Sequence, residues 1–160
     1  MKNKILYYLI FFLLSNFTFF SAVNSEEFNF DVTEIEILND GNTIKGSKKG
    51  IAKTNNGIMI SANTFIYNKL TNILTANGDV KIIDSNRNLE IYSDNAVYEK
   101  NKEILTTNQN SKAIYNINKL IFADSFKFDR NKNILTANGD VKFIDSNRNL
   151  EIYSDNAVYE

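Results

Sequence analysis

An all-β fold built from repeats is predicted by three observations. Apolar and polar residues alternate with period two through most of the chain after residue 25, the pattern of half-buried strands. The stretch from Asn72 to Glu99 returns from Asn133 to Glu160 at an offset of 61 residues, with 27 of 28 positions identical and Ile82 replaced by Phe143. Proline is absent, and no segment beyond the N-terminus holds a sustained 3.6-residue apolar period, so long ladders can run uninterrupted.

A shorter beat lies inside the long one. ISANTFIY at Ile60 recurs as IYSDNAVY at Ile91, IFADSFKF at Ile121 and IYSDNAVY at Ile152, in steps of 31, 30 and 31 residues. ILTANGDV at Ile73 and Ile134, with the weaker ILTTNQNS at Ile104, keeps the same time. The unit is therefore about 30 residues, and such units usually stack because none can bury its apolar face alone.

At the N-terminus Lys2 and Lys4 precede an unbroken apolar run from Ile5 to Leu14, followed by Ser21, Ala22, Asn24 and Ser25. Basic, apolar and small-polar segments in that order predict a signal peptide over residues 1–25 and a β-domain over 26–160. A membrane span would need about 20 apolar residues, and Ser15, Asn16 and Thr18 interrupt the run early. Without Lys2 and Lys4, 16 basic and 19 acidic residues remain, a net charge of −3. Nucleic acid is not expected as a partner, because its footprint requires clustered excess Lys and Arg. The chain has no cysteine, so packing and strand pairing must supply its stability even after export.

Taken in order, FNFDVTEIEIL from Phe28 to Leu38 reads as a strand with a phase change after Val32, and Asp40-Gly41 as a turn. Two strand-like runs between Ile44 and Ala62 flank Asn55-Asn56-Gly57, a hairpin signal. Lys45, Lys48, Lys49 and Lys53 read as an exposed strand face rather than a phosphate site. Within the repeat, the inward phase is Phe65, Tyr67, Leu74, Ala76, Val80, Ile82, Leu89 and Ile91. In the second copy it is Phe126, Phe128, Leu135, Ala137, Val141, Phe143, Leu150 and Ile152. Asn77-Gly78 and the run from Ser85 to Asn88 are expected to turn the chain between short strands. The intermediate unit, Glu103 to Phe122, lacks the Asn-Gly pair and leaves its inward phase ambiguous at Lys119, Leu120 and Ile121. Asn-Gly hairpins favour antiparallel neighbours over the competing fold, a parallel β-helix.

The composition argues against an enzyme. With neither histidine nor cysteine, the usual nucleophile–base pairs and zinc sites cannot be assembled, and no metal or other cofactor is expected. Asp79, Asp84 and Asp94, with their copies Asp140, Asp145 and Asp155, could pair as in a glycosidase. All six lie at or beside expected turns and all are duplicated, which reads as solvated turn residues. The run from Asp84 to Asn88 opens like a calcium loop but places Leu89 where glycine is required and Asn95 where a bidentate glutamate should stand.

The phrase order Ala62-Asn63, Phe65, Tyr67, Leu74, Gly78, Val80, Ile82, then Ser93-Asp94, Ala123-Asp124, Phe126, Phe128, Leu135, Gly139, Val141 and Phe143 resembles the OstA-like periplasmic family. That family comprises the LptA-type lipopolysaccharide bridge and the N-terminal domain of LptD-type outer-membrane assembly proteins. The resemblance covers Phe28 to Glu160, and the segment up to Ser47 is nearer in pattern to the head of an LptD-type protein. It implies an open β-jelly roll in the periplasm, at or near the outer membrane, serving lipopolysaccharide transport. It further implies that Phe65, Tyr67, Leu74, Val80, Ile82, Leu89 and Ile91, with Phe126, Phe128, Leu135, Val141, Phe143, Leu150 and Ile152, line one groove for acyl chains. The implied partners are lipopolysaccharide and other transport modules, joined by strand-edge pairing. The alternation alone is equally satisfied by a repetitive scaffold or adhesin whose apolar face packs on itself. The last unit stops short after Tyr159-Glu160, so a truncated domain, with a pairing edge near Ala157 to Glu160, is expected there.

Overall fold

The computed structural model describes residues 28–160; the expected signal peptide lies outside the described residues. Twelve strands follow one another: β1 (Asn29–Leu38), β2 (Thr43–Lys53), β3 (Ile58–Ala62), β4 (Thr64–Asn68), β5 (Ile73–Asp84), β6 (Leu89–Glu99), β7 (Ile104–Asn108), β8 (Ser111–Tyr115), β9 (Lys119–Ala123), β10 (Ser125–Asp129), β11 (Ile134–Asp145) and β12 (Leu150–Tyr159). A single 3₁₀ turn at Lys100–Lys102 is the only helical element among the described residues. Every pairing is antiparallel, which excludes the parallel β-helix.

The pairings resolve into nine rungs stacked along one axis. β1, β2, β5, β6, β11 and β12 each span a whole rung, whereas β3 with β4, β7 with β8, and β9 with β10 each share one. β5, for instance, pairs with β4 through Ile73–Asn77 and with β3 through Lys81–Asp84, while β6 accompanies it throughout. Each rung is bent at one place, so the whole sheet is creased into two faces that close on each other as a jelly roll.

The crease is written in the sequence at intervals of 15 or 16 residues. It passes through Thr33, Lys48-Lys49, Asn63, Gly78-Asp79, Asp94, Gln109-Asn110, Asp124, Gly139-Asp140 and Asp155. On alternate rungs two consecutive residues take positive φ: Lys48-Lys49, Gly78-Asp79, Gln109-Asn110 and Gly139-Asp140. Glycine, asparagine and aspartate tolerate this region best. The amides at the bend stay paired along the stack, Asn63 N donating to Gly78 O at 2.9 Å, Asp94 N to Gln109 O at 3.3 Å and Asp124 N to Gly139 O at 3.0 Å. Asn77-Gly78 and Asn138-Gly139 are therefore not hairpin turns. Each sits inside one long strand as a bulge, and the same left-handed preference that closes a turn here bends a strand.

At Asn55-Asn56-Gly57 the expected hairpin forms between β2 and β3, with Gly57 at φ 89°. Other end turns finish on a left-handed residue, Asn72, Asn88, Asn133 or Asn149. The phase change after Val32 is a register shift between Val32 and Glu34, beyond which Ile35 and Ile37 lie exposed on the inward face of edge strand β1. In the ambiguous unit Ile121 is the inward residue, opposite Ala113 of β8 and Phe143 of β11. Lys48 and Lys49 prove to be crease residues, and Lys45 and Lys48 pair with Glu36 and Glu34 of β1.

One continuous core fills the space between the faces, from Phe28 and Phe65 through Ile82, Ile91 and Leu105 to Phe126 and Val141. Burial of a large apolar side chain contributes about 1.5–3 kcal/mol, and this repeated contribution serves where no disulfide can. Gly139→Ala should test the crease. A β-carbon there would meet the Asp124 carboxylate, and φ is +77°. Stability measured by urea unfolding is expected to fall by about 1–3 kcal/mol, with an unchanged β signal in circular dichroism.

Candidate functional site

The interior between the two faces is the candidate site, and three parts of it differ in chemistry. Near the N-terminal end Phe28, Phe30, Phe65, Tyr67 and Tyr98 form an aromatic cluster with ring centroids 4.9–6.2 Å apart, mostly edge to face or tilted. Phe28, just ahead of β1, lies 4.9 Å from Tyr67 and 5.9 Å from Tyr98, which brings the start of the described chain over the fifth rung.

The middle is closed by charge. Opposite the crease the two faces end in rows of turns, and these rows meet around Arg130, which is only 3 % exposed. Arg130 Nε donates to Asp84 Oδ2 at 2.9 Å, Nη1 to Tyr98 Oη at 3.0 Å and to Glu103, and Nη2 to the Asn56 carbonyl at 3.2 Å. Arg87 adds a bond from Nη1 to Asp84 Oδ2 at 3.0 Å and one from Nη2 to the Arg130 carbonyl at 2.6 Å, and Asn56 Nδ2 donates to Glu103 Oε1 at 2.9 Å. Asp84, Arg87 and Asn56 belong to one face, Arg130, Tyr98 and Glu103 to the other, so the network stitches the seam shut. Asp84, expected to be a solvated turn residue, is 1 % exposed. It ends β5 at the right depth to meet a guanidinium from a turn 46 residues later. Its copy Asp145 is also buried, and accepts from the amides of Asn147 and Arg148 at 3.0 and 3.3 Å. Burial, then the hydrogen bond to Glu103, pushes the Tyr98 phenol up to about 12.

Toward the C-terminal end the interior opens. A cleft of about 210 Å³ is bounded by Ile121, Leu135, Ala137, Phe143, Ile152, Ala157, Val158 and Tyr159. Across the seam here, Tyr115 and Tyr159 pack with centroids 4.9 Å apart, and Lys119 Nζ donates to Tyr159 Oη at 2.7 Å.

The structure brings the residues of the implied groove to one interior. Phe65, Tyr67, Leu74, Val80, Ile82, Leu89, Ile91, Phe126, Phe128, Leu135 and Val141 are buried, their neighbours being other side chains of the core. Phe143 is partly buried, whereas Leu150 and Ile152 are exposed on β12. Sequence reasoning did not single out Arg130, Arg87, Glu103 or Tyr98. Arg130 falls at the place of Lys69, just before the duplicated stretch, where the two units differ at most positions, so nothing local marks it.

A creased antiparallel jelly roll with an apolar interior defines the class of protein. The sequence matches the OstA-like proteins over residues 26–160, and the chain belongs to that family. Among solved structures, the chain is similar to that of LptH from Pseudomonas aeruginosa, described as the LptA homologous periplasmic component of the conserved lipopolysaccharide transport device. The TM-score is 0.62 at 12% identity, covering 71% of this chain and 82% of that one, a likeness that establishes the fold. No curated protein matches the sequence.

The seam network makes two measurable statements. Arg130→Met leaves the buried Asp84 with Arg87 alone and takes the guanidinium from Glu103 and Tyr98, which should cost roughly 3–5 kcal/mol in chemical denaturation. Adding Asp84→Leu should recover most of the loss. For Tyr98 the folded pKa of about 12 lies above the ordinary 10.0, so its neutral form contributes stability that is fully present below pH 10.0 and is lost as pH rises toward 12. Tyr98→Phe should flatten the alkaline part of the stability profile over that window.

Proposed function

We propose that this chain serves lipopolysaccharide transport and outer-membrane assembly in the periplasm, holding acyl chains against its apolar interior and handing them on by contact rather than by catalysis. The observation that supports this reading best is the apolar mouth at Phe143, Leu150 and Ile152, where the interior is accessible. Each methylene buried there gains about 0.8 kcal/mol, so lipid could be held without a unique polar site. Membership of the OstA-like family and the fold shared with LptH agree with it. On this reading the buried members of the groove, Phe65 to Ile91 and Phe126 to Val141, meet lipid once the faces part at the Arg130 seam. Other transport modules join at the free edges of β1 and β12, each of which pairs with one strand among the described residues.

A second reading has its own support. The first copy of the repeat is filled by its own side chains, as expected of a scaffold or adhesin that packs on itself and binds no lipid. A photo-crosslinking residue at Phe143 or Ile152, and separately at outward-facing Lys142 or Glu151, in cells making lipopolysaccharide, separates the two. Lipopolysaccharide adducts are expected at the first pair and not the second. Equal labelling of both faces, or none, would reject the conduit in favour of the scaffold.

A further inference from the structure

Beside the Arg130 network the two rows of turns part around a polar cleft of about 450 Å³, lined by Asn86, Arg87, Asn88, Tyr115, Asn116 and Asn133. The first three lie in the turn between β5 and β6, and Tyr115 and Asn116 at the end of β8 and in the turn that follows it. Asn133 comes from the opposite row, in the turn that also carries Arg130. The cleft therefore straddles the seam, and none of its six lining residues is acidic.

Its polar groups are largely unemployed. The Arg87 side chain is 27 % exposed, and two of its five N–H groups are engaged, one with Asp84 Oδ2 and one with the Arg130 carbonyl. Asp84 offers both arginines the same oxygen, so Arg87 is held by one arm rather than a fork, and its other N–H groups are open to an acceptor. Among the described residues the side-chain amides of Asn88, Asn116 and Asn133 and the hydroxyl of Tyr115 make no hydrogen bond. The three asparagines take positive φ, at 51°, 46° and 57°. Glycine would satisfy that backbone equally well, but would leave the cleft without amides.

The cleft also touches the interior. The Arg87 guanidinium carbon lies 5.9 Å from the centroid of the buried Phe128 ring, and Tyr115 packs against the core. Polar groups thus converge at the surface directly over apolar ones, which matches an amphiphile with its chains below and its head above. A guanidinium suits phosphate oxygens, and amides that both donate and accept suit hydroxyls. Inorganic phosphate would leave the three asparagines idle, and a neutral sugar would leave Arg87 idle. A sugar that carries a phosphate employs both.

We infer that this cleft binds a phosphorylated sugar head, Arg87 taking the phosphate and Asn88, Asn116 and Asn133 the sugar hydroxyls. That the sugar belongs to the lipid whose chains enter the interior rests on the transport reading above. Recognition of the sugar phosphate itself does not.

The probe is glucose 1-phosphate, titrated into the full chain without lipid and followed by the nuclear magnetic resonance shifts of the asparagine side-chain amides. Saturable shifts at Asn88, Asn116 and Asn133 are expected. Arg87→Lys keeps the charge but not the planar fork, and should weaken binding about tenfold. Asn116→Gly and Asn133→Gly keep the left-handed turn and remove only the amide, so each should weaken binding about fivefold with the urea midpoint nearly unchanged. Glucose and inorganic phosphate should each bind about tenfold more weakly than glucose 1-phosphate. No saturable shift, indifference to these substitutions, or equal binding of glucose or of inorganic phosphate would overturn the site. Lipopolysaccharide should displace the probe, and lipopolysaccharide stripped of phosphate should do so about tenfold less well. Lipopolysaccharide that crosslinks at Phe143 yet leaves the probe in place would overturn the assignment to the lipid head and leave a free sugar phosphate as the ligand. Bound probe without adducts at Phe143 would reject the conduit alone. Adducts without bound probe would reject the cleft alone.

Discussion

The whole architecture depends on bending each rung at the same height without leaving its backbone groups unpaired. A flat sheet of nine rungs would expose one apolar face; folded along a line, it covers that face with itself. The cost falls on a few residues that must enter the left-handed region, and the chain places Gly-Asp, Gln-Asn and even Lys-Lys there. Because the amide of one bend donates to the carbonyl of the next, as from Lys49 to Asn63 and from Asn63 to Gly78, the bends form their own ladder. The ladder is also why the spacing is so regular: an insertion of one residue would move every inward side chain beyond it to the outer face.

Much of this was legible in the sequence because period-two alternation and exact duplication both survive into the structure. Phe65, Ile82, Phe126 and Val141 face inward as their phase requires. The 30-residue unit is real but is two rungs, since a rung must be traversed up and down before the chain returns to the same surroundings. The 15-residue crease is hidden in the sequence because it is carried by residue types that also make turns. Asn77-Gly78 satisfies a hairpin and a bulge equally well, and only the pairing of β5 along its whole length decides between them. The seam was not legible at all. Asp84 and Arg130 are 46 residues apart, and nothing local marks a carboxylate whose partner arrives three rungs later. The end rungs were legible as strands, but their exposure was not, because identical sequence is buried in β6 and bare in β12.

That contrast separates what a residue is from what surrounds it. Ile91 and Ile152 share type, flanking residues and strand position, and differ by the presence of one more rung. Ile82 and Phe143 are the single place where the copies diverge, and the larger side chain sits beside the open cleft. The extra volume lies where the interior is least filled, so the divergence follows the packing.

In a linear stack each rung ordinarily feels only its two neighbours, and such arrays melt from their ends as a zipper does. The Arg130 network departs from this rule, since it ties Asn56, after the second rung, to Asp84, at the end of the fourth, and to the turn after the seventh. Rungs bridged in this way must open together or not at all, which turns the middle of the stack into one cooperative block. β11 and β12 lie beyond that tie, and β11 is held to the block by its pairing with β9 and β10 rather than by the network.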